Sequence, residues 1–387
     1  MPPNIPETRK IVWRWVLAAT ILLGVYGVVF RRIVGWGAQA RLREIFPWGF
    51  CSGLDVFCGL ALAAGGFSIA ATLYVADLRS YKTVLRISLL IGFLGFLGAP
   101  LATMANRPFH FWYFVQLWNP GTPFLGLAGA LLLYSLLLSV EFAYPSPSKA
   151  AAQDPSPLLR VTRSALALCA ALLAILQQAS LARPILQVPG AFSRLWLTPM
   201  FSAQLFLSAV AGSLAMVIFA WRHLPAPAHA KAQAFPIARI KEVLLIVLSL
   251  YLTMRLVDLI DRQTIPLLFQ ARFQNYLLGI ELCLFLLPTL LLIRWYQELT
   301  DQFLYRISVL VLAGMVTNRL NISITAREAV KGILYVPRWT DLFIAYGVIA
   351  LCIALFGLAA HYLPIFAPAV LEDREPSAQP EVAHSKR

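Results

Sequence analysis

The sequence predicts an all-α integral membrane protein with about ten transmembrane helices. Hydrophobic residues make up 59% of the 387 residues, charged residues make up 13%, and the mean hydropathy is +0.73. A soluble domain carries about 25% charged residues, so this composition is typical of a polytopic membrane protein. Ten apolar stretches of about twenty residues are each long enough to cross a hydrocarbon core of roughly 30 Å at 1.5 Å per residue. They lie near residues 11–30, 48–76, 84–105, 122–143, 160–182, 198–221, 240–260, 273–293, 304–320 and 341–362.

The first apolar stretch follows Arg9 and Lys10, as the apolar region of a secretory signal peptide would. However, the stretch lacks the small-residue cleavage pattern of a signal peptide: it contains Trp13 and Arg14 and ends at the arginine pair 31–32. We therefore expect a retained helix.

The connections between the later stretches differ on the two sides of the membrane. Lys and Arg are more numerous on the side that holds both termini, which predicts cytoplasmic termini. Two connectors rich in Pro, Ala and Ser, 144–157 and 224–236, predict surface loops on that side, and the polar tail 369–387 predicts a disordered cytoplasmic end. The net charge of +14 is spread over the ends of the stretches, so lipid headgroups explain it better than nucleic acid.

The opposite loops are rich in Trp, Phe, Tyr, Arg and Pro, as in RPFHFWYFVQLWNPGTP and KGILYVPRWTD. Two interpretations remain open. The aromatic residues form an interfacial belt, or they form a structured face on which a partner protein docks.

The positions of cysteine and histidine predict no resident metal centre. No cysteines form a CxxC pair, so we expect small buried hydrophobic residues and neither zinc nor an iron–sulfur cluster. Membrane haems usually take facing histidines within helices as axial ligands, so we also expect no haem. The histidines, all in loops, helix ends or the tail, are His110, His223, His229, His361 and His384.

Asp55 is the clearest functional candidate, since it lies seven residues into the otherwise apolar segment Trp48–Val75. A charge at that depth costs roughly 2.5–3.5 kcal/mol, so it is rarely there without a task. The small neighbours Ser52, Gly53 and Gly59 leave room for another helix or for a ligand. We expect Asp55 to handle a proton. The alternative is a carboxylate that an arginine on a neighbouring helix neutralises.

Other polar residues at different depths predict a proton relay. Tyr251, Arg255 and Asp258 share one helix face, and Arg255 with Asp258 alternatively forms an ion pair that only joins helices. Glu281, in the middle of the eighth stretch, needs a partner on another helix or stays protonated. The predicted proton-transfer residues are Asp55, Arg255, Asp258, Glu281 and Glu141.

Several segments between about residues 40 and 365 are informative when they are taken together in their order and spacing. They are PWGFCSGLDVFCGLALAAGGFSIAATLYV, RPFHFWYFVQLWNPGTP followed by YSLLLSVEF, QQASLARP, YLTMRLVDL and NRLNISIT…YVPRWTD…HYLPIF. Together they resemble the NrfD/PsrC-type family of polysulfide reductase membrane subunits. Within it they most resemble the ten-span branch typified by the HybB-like membrane subunit of nickel–iron hydrogenase 2.

The resemblance implies one polytopic domain, residues 1–368, built from two four-helix bundles. The first bundle would be spans 2–5 (48–182), on the quinone side, and the second would be spans 6–9 (198–320), with the first and tenth helices outside. It also implies a subunit of the bacterial inner membrane without a prosthetic group, which binds menaquinone or ubiquinone. Its partner would be a periplasmic ferredoxin-like iron–sulfur subunit and, through it, a catalytic oxidoreductase.

The resemblance places Ser52 and Asp55 where the first bundle presents polar groups to the quinone. The branch commonly has His where this chain has Gln177, and an amide binds a quinone carbonyl but takes up no proton. If that His shuttles protons, the task here falls to Asp55, or the chain belongs to another branch, such as the sulfite-reduction-associated subunits. The predicted quinone-binding residues are Ser52, Asp55, Arg107, His110, Gln177 and Gln178.

The sequence therefore predicts a non-haem, quinone-reactive membrane subunit of a respiratory oxidoreductase, with proton translocation as a further hypothesis. Since the chain would carry no redox centre, electrons would come from a partner. Two alternatives remain open: a proton-coupled secondary transporter that uses Arg255, Asp258 and Glu281, and a structural anchor. The two halves show no matched pair of broken helices, which transporters often have.

Overall fold

The computed structural model describes residues 7–34, 49–78, 81–106, 127–143, 157–187, 192–224, 237–270, 272–298, 300–326 and 335–365. In these ranges all regular secondary structure is helical. Nine helices of the described residues are long and apolar enough to cross a membrane, and a tenth is shorter. The prediction of an all-α membrane protein with about ten helices is confirmed.

Ten long helices follow one another along the described chain, and each coincides with one predicted apolar stretch. They are α1 (Glu7–Val34), α2 (Cys58–Val75), α3 (Lys82–Asn106), α4 (Leu127–Ala143), α5 (Pro157–Gln187), α6 (Phe201–His223), α7 (Ile237–Asp261), α8 (Phe273–Arg294), α9 (Asp301–Leu320) and α10 (Trp339–Tyr362). A one-turn helix, Ile265–Leu268, lies between α7 and α8.

Two of these helices carry π-helical segments that hydropathy does not predict. Ser52–Phe57 leads directly into α2, and Asn321–Thr325 continues α9. π-Helices are rare and occur mostly as short segments, frequently at functional sites. Asp55 lies within the first of them.

Helix α2 packs against α3, α5 and α6, and small residues allow these close approaches. A Cβ on Gly59 would lie 2.3 Å from the Gly95 carbonyl oxygen of α3. A Cβ on Gly53 would lie 2.2 Å from the Ser323 Oγ in the second π-helical segment. The space beside the small neighbours of Asp55 is therefore filled by other helices at these two positions.

The remaining described helices pack in neighbouring pairs. Helix α6 contacts α7 and α9, α8 contacts α7 and α9, and α3 contacts α10. Helix α1 packs along α10, where a Cβ on Gly347 would lie 2.6 Å from the Gly24 Cα. The division into bundles 48–182 and 198–320 stays a prediction. The tail 369–387 lies outside the described residues.

Candidate functional site

Asp55 is buried in the π-helical segment Ser52–Phe57, with 4% of its surface exposed. Neither carboxylate oxygen has a hydrogen-bond partner in the described part of the chain. The thiols of Cys58 and Cys352 lie within electrostatic range of it. Because an unpaired charge is strongly disfavoured in such a place, the surroundings suit either a protonated carboxyl or a carboxylate paired by an incoming group. Ser52, in the same turn, is half-buried.

The adjacent amides of Gln177 and Gln178 on α5 have different partners. The Tyr134 hydroxyl on α4 donates to Gln177 Oε1 at 3.3 Å. Arg319 on α9 donates to Gln178 Oε1 at 3.4 Å. The Gln178 Nε2 has no hydrogen-bond partner among the described residues, so one amide donor is unused.

Glu281 is fully buried in α8 and accepts three hydrogen bonds from neighbouring helices. Asn318 and Asn321 donate from their Nδ2 atoms at 2.8 and 2.7 Å, and the Tyr251 hydroxyl donates at 3.1 Å. The sequence analysis predicted that Glu281 either has a partner on another helix or stays protonated. The structure supplies neutral donors on α7, on α9 and on the π-helical segment that follows α9.

Arg319 is a buried cation that the sequence analysis missed. Its Nη1 donates to Asn318 Oδ1 at 2.6 Å, and its Nη2 donates to the Leu205 carbonyl oxygen at 2.8 Å. No carboxylate lies within 4.0 Å of this guanidinium in the described residues, although Glu281 and Cys58 are within electrostatic range. The sequence did contain a signal for this cluster. Three polar residues, Asn318, Arg319 and Asn321, lie within the four positions 318–321 at the end of an apolar helix.

Arg255 and Asp258 are both buried on α7, as their spacing predicts, and they form a long ion pair. Arg255 lies 4.0 Å from Asp258 and donates instead to Gln204 Oε1 at 2.9 Å. Asp258 is bound mainly by Arg262, whose Nη2 and Nε donate at 2.8 and 3.0 Å, and by the Thr198 hydroxyl. The predicted Arg255–Asp258 ion pair is therefore present but long, and the nearer cation of Asp258 is Arg262.

Glu141 lies at the other end of the protein from Asp55. Its carboxylate accepts from Arg86 Nε at 2.9 Å and from the Tyr74 hydroxyl at 2.8 Å, and Arg163 lies 3.7 Å away. Tyr74 follows Asp55 by nineteen residues of continuous helix, which corresponds to roughly 28 Å at 1.5 Å per residue. These contacts hold the ends of α2, α3, α4 and α5 together.

A further buried ion pair joins α1 to α10. Arg31 donates to the Asp341 carboxylate and, at 3.1 Å, to the Thr340 hydroxyl. Nearby, the Phe50 backbone N–H donates to the Tyr335 hydroxyl at 3.2 Å, and burial raises the pKa of that Tyr335 hydroxyl above its ordinary value. The pair fixes the outer helices against each other.

Two predicted quinone-binding residues, Arg107 and His110, lie outside the described residues. Within the described part of the chain, no group of three or more His, Cys, Asp or Glu side chains is placed to hold a metal ion. The structure thus places Asp55, Glu281, Gln178 and the unforeseen Arg319 in the interior around α2 and α9.

Comparison with known proteins shows relatives of similar length. The chain is 24% identical over 358 residues to the probable Ni/Fe-hydrogenase 2 b-type cytochrome subunit of Escherichia coli K12, which covers 89% of this chain and 90% of that protein. It is 25% identical over 365 residues to a protein of Nitratidesulfovibrio vulgaris Hildenborough, with coverage of 89% and 92%. No family model matches the sequence.

The name of the Escherichia coli relative corrects one expectation. A b-type cytochrome carries haem, which contradicts the sequence-based expectation of a chain without haem, and that expectation is withdrawn. Two histidines lie in the described residues: His223 at the end of α6, where Nδ1 is 2.9 Å from the Phe219 carbonyl oxygen, and His361 at the end of α10. Both are exposed, so these two do not provide a buried pair of axial ligands. The other histidines, His110, His229 and His384, lie outside the described residues.

The similarity to the Escherichia coli protein confirms the predicted resemblance to the membrane subunit of nickel–iron hydrogenase 2. With its helical membrane fold, the chain is similar over nearly its whole length to the HybB-like membrane subunit of nickel–iron hydrogenase 2.

Proposed function

We propose that this chain is the quinone-reactive membrane subunit of a hydrogenase-type respiratory complex in the bacterial inner membrane. It exchanges electrons between a periplasmic ferredoxin-like iron–sulfur subunit and the pool of menaquinone or ubiquinone. Two findings support the proposal: the similarity to the hydrogenase 2 membrane subunit and the surroundings of Asp55.

The observation that carries the quinone site is the buried carboxyl group of Asp55, which has no hydrogen-bond partner among the described residues. Reduction of a quinone to a quinol takes two electrons and two protons, and one proton is added to each oxygen. A carboxyl group that no protein group occupies can hydrogen-bond a quinone oxygen and transfer its proton, as a general acid does. In the same turn, Ser52 offers a hydroxyl group, and on α5 Gln178 retains an unused amide donor.

The proposed proton route is narrowed by the contacts of the other candidates. Asp258 and Glu141 are held by arginines, so their contacts favour a structural function in joining helices. Glu281 is fully buried, and the donors that the structure describes around it, Tyr251, Asn318 and Asn321, are all neutral. We therefore assign proton exchange to Asp55 and Glu281. In this proposal Glu281 takes part in proton translocation across the membrane.

The test of the quinone site is Asp55→Asn in the intact complex. An amide keeps the size of the side chain but supplies no transferable proton, so turnover with a soluble menaquinone analogue should fall about 100-fold or more. Activity of the catalytic subunit with an artificial dye should stay unchanged, since it does not use this site. Thermal unfolding of the complex checks that assembly is intact.

The matched control is Glu242→Gln, which also neutralises a carboxylate. Glu242 lies near the cytoplasmic end of α7 and contacts Arg239 and the Tyr296 hydroxyl at the surface, both at 3.0 Å. Its quinone-coupled turnover should equal that of the wild type. Unchanged turnover in Asp55→Asn would refute the proposed site.

Photolabelling with a quinone analogue separates this function from that of a structural anchor. We expect the label on the peptide that contains Asp55. A label confined to another subunit of the complex would mean that the partner carries the quinone site.

A further inference from the structure

Two buried arginine–glutamine pairs leave the same two kinds of donor unused. In the first pair, Arg255 Nη1 donates to Gln204 Oε1 at 2.9 Å, and in the second, Arg319 Nη2 donates to Gln178 Oε1 at 3.4 Å. In each pair, the guanidinium Nε and the amide Nε2 have no hydrogen-bond partner among the described residues. All four side chains are at most 4% exposed. Buried donors without a partner are rare in proteins, so these need an explanation.

The first of these pairs lies at the beginning of α6. Gln204 is the fourth residue of that helix, and side chains of a helix lean toward its N-terminus, so the amide lies over the first turn. The Thr198 hydroxyl, just before α6, donates to Asp258, which brings the α7 face that carries Arg255 against the same place. The N-cap residue, Met200, makes no side-chain capping hydrogen bond. The first N–H groups of a helix lack intrahelical acceptors and form the positive end of its dipole.

The charge of Arg255 is poorly compensated by its neighbour on α7. Arg255 lies 4.0 Å from Asp258. The two oxygens of that carboxylate accept from Arg262 at 2.8 and 3.0 Å, and one of them also accepts from Thr198. Asp258 is therefore engaged mainly by another cation.

The wider surroundings of the pair add a further positive charge. Arg255, Arg319 and Glu281 all lie within electrostatic range of the Tyr251 hydroxyl. Together with Arg262 and Asp258, this neighbourhood contains three arginines and two carboxyl groups. At least one positive charge is in excess, whichever protonation state Glu281 has. An uncompensated charge in the interior of a protein is strongly unfavourable.

We propose that a monovalent inorganic anion, such as chloride, binds between the Gln204 amide and the Arg255 Nε at the N-terminus of α6. The pair supplies two unused donors and a positive charge, and the first turn of α6 supplies N–H groups. Helix N-termini are favourable places for anions. The ion neutralises the excess charge of this neighbourhood. The inference does not depend on the proposed quinone chemistry.

An anion suits this pair better than a water molecule does. Water accepts hydrogen bonds from both donors, but it also has two hydrogens that need acceptors, and it leaves the charge of Arg255 in place. The Gln204 Oε1 already accepts from Arg255. A halide ion has no hydrogens and carries the compensating charge, so it meets both requirements.

The second pair lacks two features of the first. Gln178 lies within the long helix α5 (Pro157–Gln187), far from its N-terminus, so no unused backbone N–H groups are at hand. Glu281 is within electrostatic range of Arg319, whose Nη1 and Nη2 also donate to other described oxygens. We therefore place the ion at Gln204 and Arg255.

The first test measures thermal unfolding of the full-length protein in detergent while chloride replaces gluconate at constant ionic strength. A ligand that binds only the folded state stabilises it by mass action, so the unfolding temperature should rise by about 2 °C for each tenfold increase in chloride above the dissociation constant. Bromide should act in the same way. An unfolding temperature that does not depend on the halide would overturn the inference.

Gln204→Glu tests the position of the ion. A carboxylate still accepts from Arg255, but it supplies its own negative charge and no donor, so it replaces the ion. Without chloride, this variant should unfold at a higher temperature than the wild type, and its response to chloride should be lost. A chloride response equal to that of the wild type would contradict the proposed position.

The matched control is Gln270→Glu, the same change at an exposed residue in the connection between α7 and α8. The contact that the structure describes for Gln270 in that connection is made by its backbone carbonyl oxygen, which accepts from Asn275. Its chloride response should equal that of the wild type. Loss of the response in this control would assign the effect to general surface charge and would refute the buried site.

A second measurement needs no variant. In crystals of the wild-type protein grown with bromide, anomalous scattering should show an ion within hydrogen-bond distance of Gln204 Nε2 and Arg255 Nε. Bromide found only at the protein surface would mean adventitious ions only and would overturn the inference. Neither measurement uses quinone or Asp55, so failure of the proposed function is a separate result.

Discussion

The surroundings of each buried carboxyl group distinguish a structural residue from a chemical one. Glu141, Asp258 and Asp341 each have an arginine within hydrogen-bond distance, on the same helix or on a neighbouring one. In the described ranges Asp55 has no such cation, and the hydrogen-bond donors to Glu281 there are all neutral. Breaking a buried ion pair is costly, whereas an unpaired acid can gain and lose a proton without that penalty. This contrast selects Asp55 and Glu281 from the carboxyl groups that sequence analysis proposed.

Sequence reasoning located Asp55 correctly as a buried carboxyl group because one charge in a long apolar stretch is visible in any hydropathy profile. It missed Arg319 because the ninth stretch was predicted to end at residue 320, which placed this arginine with the loop charges. The helix continues through the π-helical segment to Thr325, so Arg319 is inside the protein. Partners such as Asn318 with Glu281 are 37 residues apart, and no local pattern encodes that contact.

At the residue scale, Gly53→Ala should destabilise the protein. The new Cβ would lie 2.2 Å from Ser323 Oγ and 3.1 Å from Leu320 Cδ2, so the first π-helical segment must move away from α9. We expect a lower unfolding temperature in detergent, and partial recovery when Ser323→Ala removes the Oγ. The control is Gly279→Ala in α8, where nothing lies within 4 Å of the added Cβ. It should be neutral or stabilising by up to about 1 kcal/mol, as alanine is the better helix former. Equal effects of the two substitutions would contradict the close contact.

At the element scale, the helices were predictable and their irregularities were not. Each of the ten stretches has enough consecutive apolar residues to cross the membrane, and this constraint alone fixes a helix. A π-helical segment depends on i→i+5 hydrogen bonds, which are stabilised here by packing such as that of Gly53 against Ser323. That packing joins two segments about 270 positions apart in the chain, so local composition carries no trace of it.

The clearest prediction for the helix ends concerns Glu141. Glu141→Gln would leave Arg86 buried without its carboxylate, and breaking a buried pair costs about 3–5 kcal/mol. The ends of α2, α3, α4 and α5 should separate more easily, which the unfolding temperature and protease resistance in detergent would report. Glu242→Gln breaks an exposed contact with Arg239 and should leave both measurements unchanged. A Glu141→Gln protein as stable as the wild type would show that this cluster does not hold the helices.

At the scale of the whole molecule, the buried polar groups divide into two kinds of region. Arginine–carboxylate clusters lie around Glu141, Asp258 and Asp341, at helix ends or in the outer pair of helices. Between them, around α2 and α9, lies a region with neutral donors, where neither Asp55 nor Arg319 has an ion-pair partner among the residues that the structure describes. The first kind joins helices, and the second contains the two carboxyl groups to which we assign proton exchange. Composition predicted the membrane fold, but this division depends on contacts between distant helices.

The final prediction concerns proton translocation by the complete complex in sealed vesicles. Glu281→Gln keeps a side chain of the same size on α8 but cannot exchange a proton, so quinone-coupled turnover should persist while proton transfer across the membrane falls sharply. The measurement is protons moved per quinone reduced, with a pH-sensitive dye inside the vesicles. Tyr251→Phe is the control, because it removes one donor to Glu281, at 3.1 Å, and keeps the carboxyl group. That variant should retain most of the transfer. Equal proton yields from Glu281→Gln and wild-type vesicles would exclude Glu281 from the route and leave Asp55 as the protein's proton-exchanging carboxyl group.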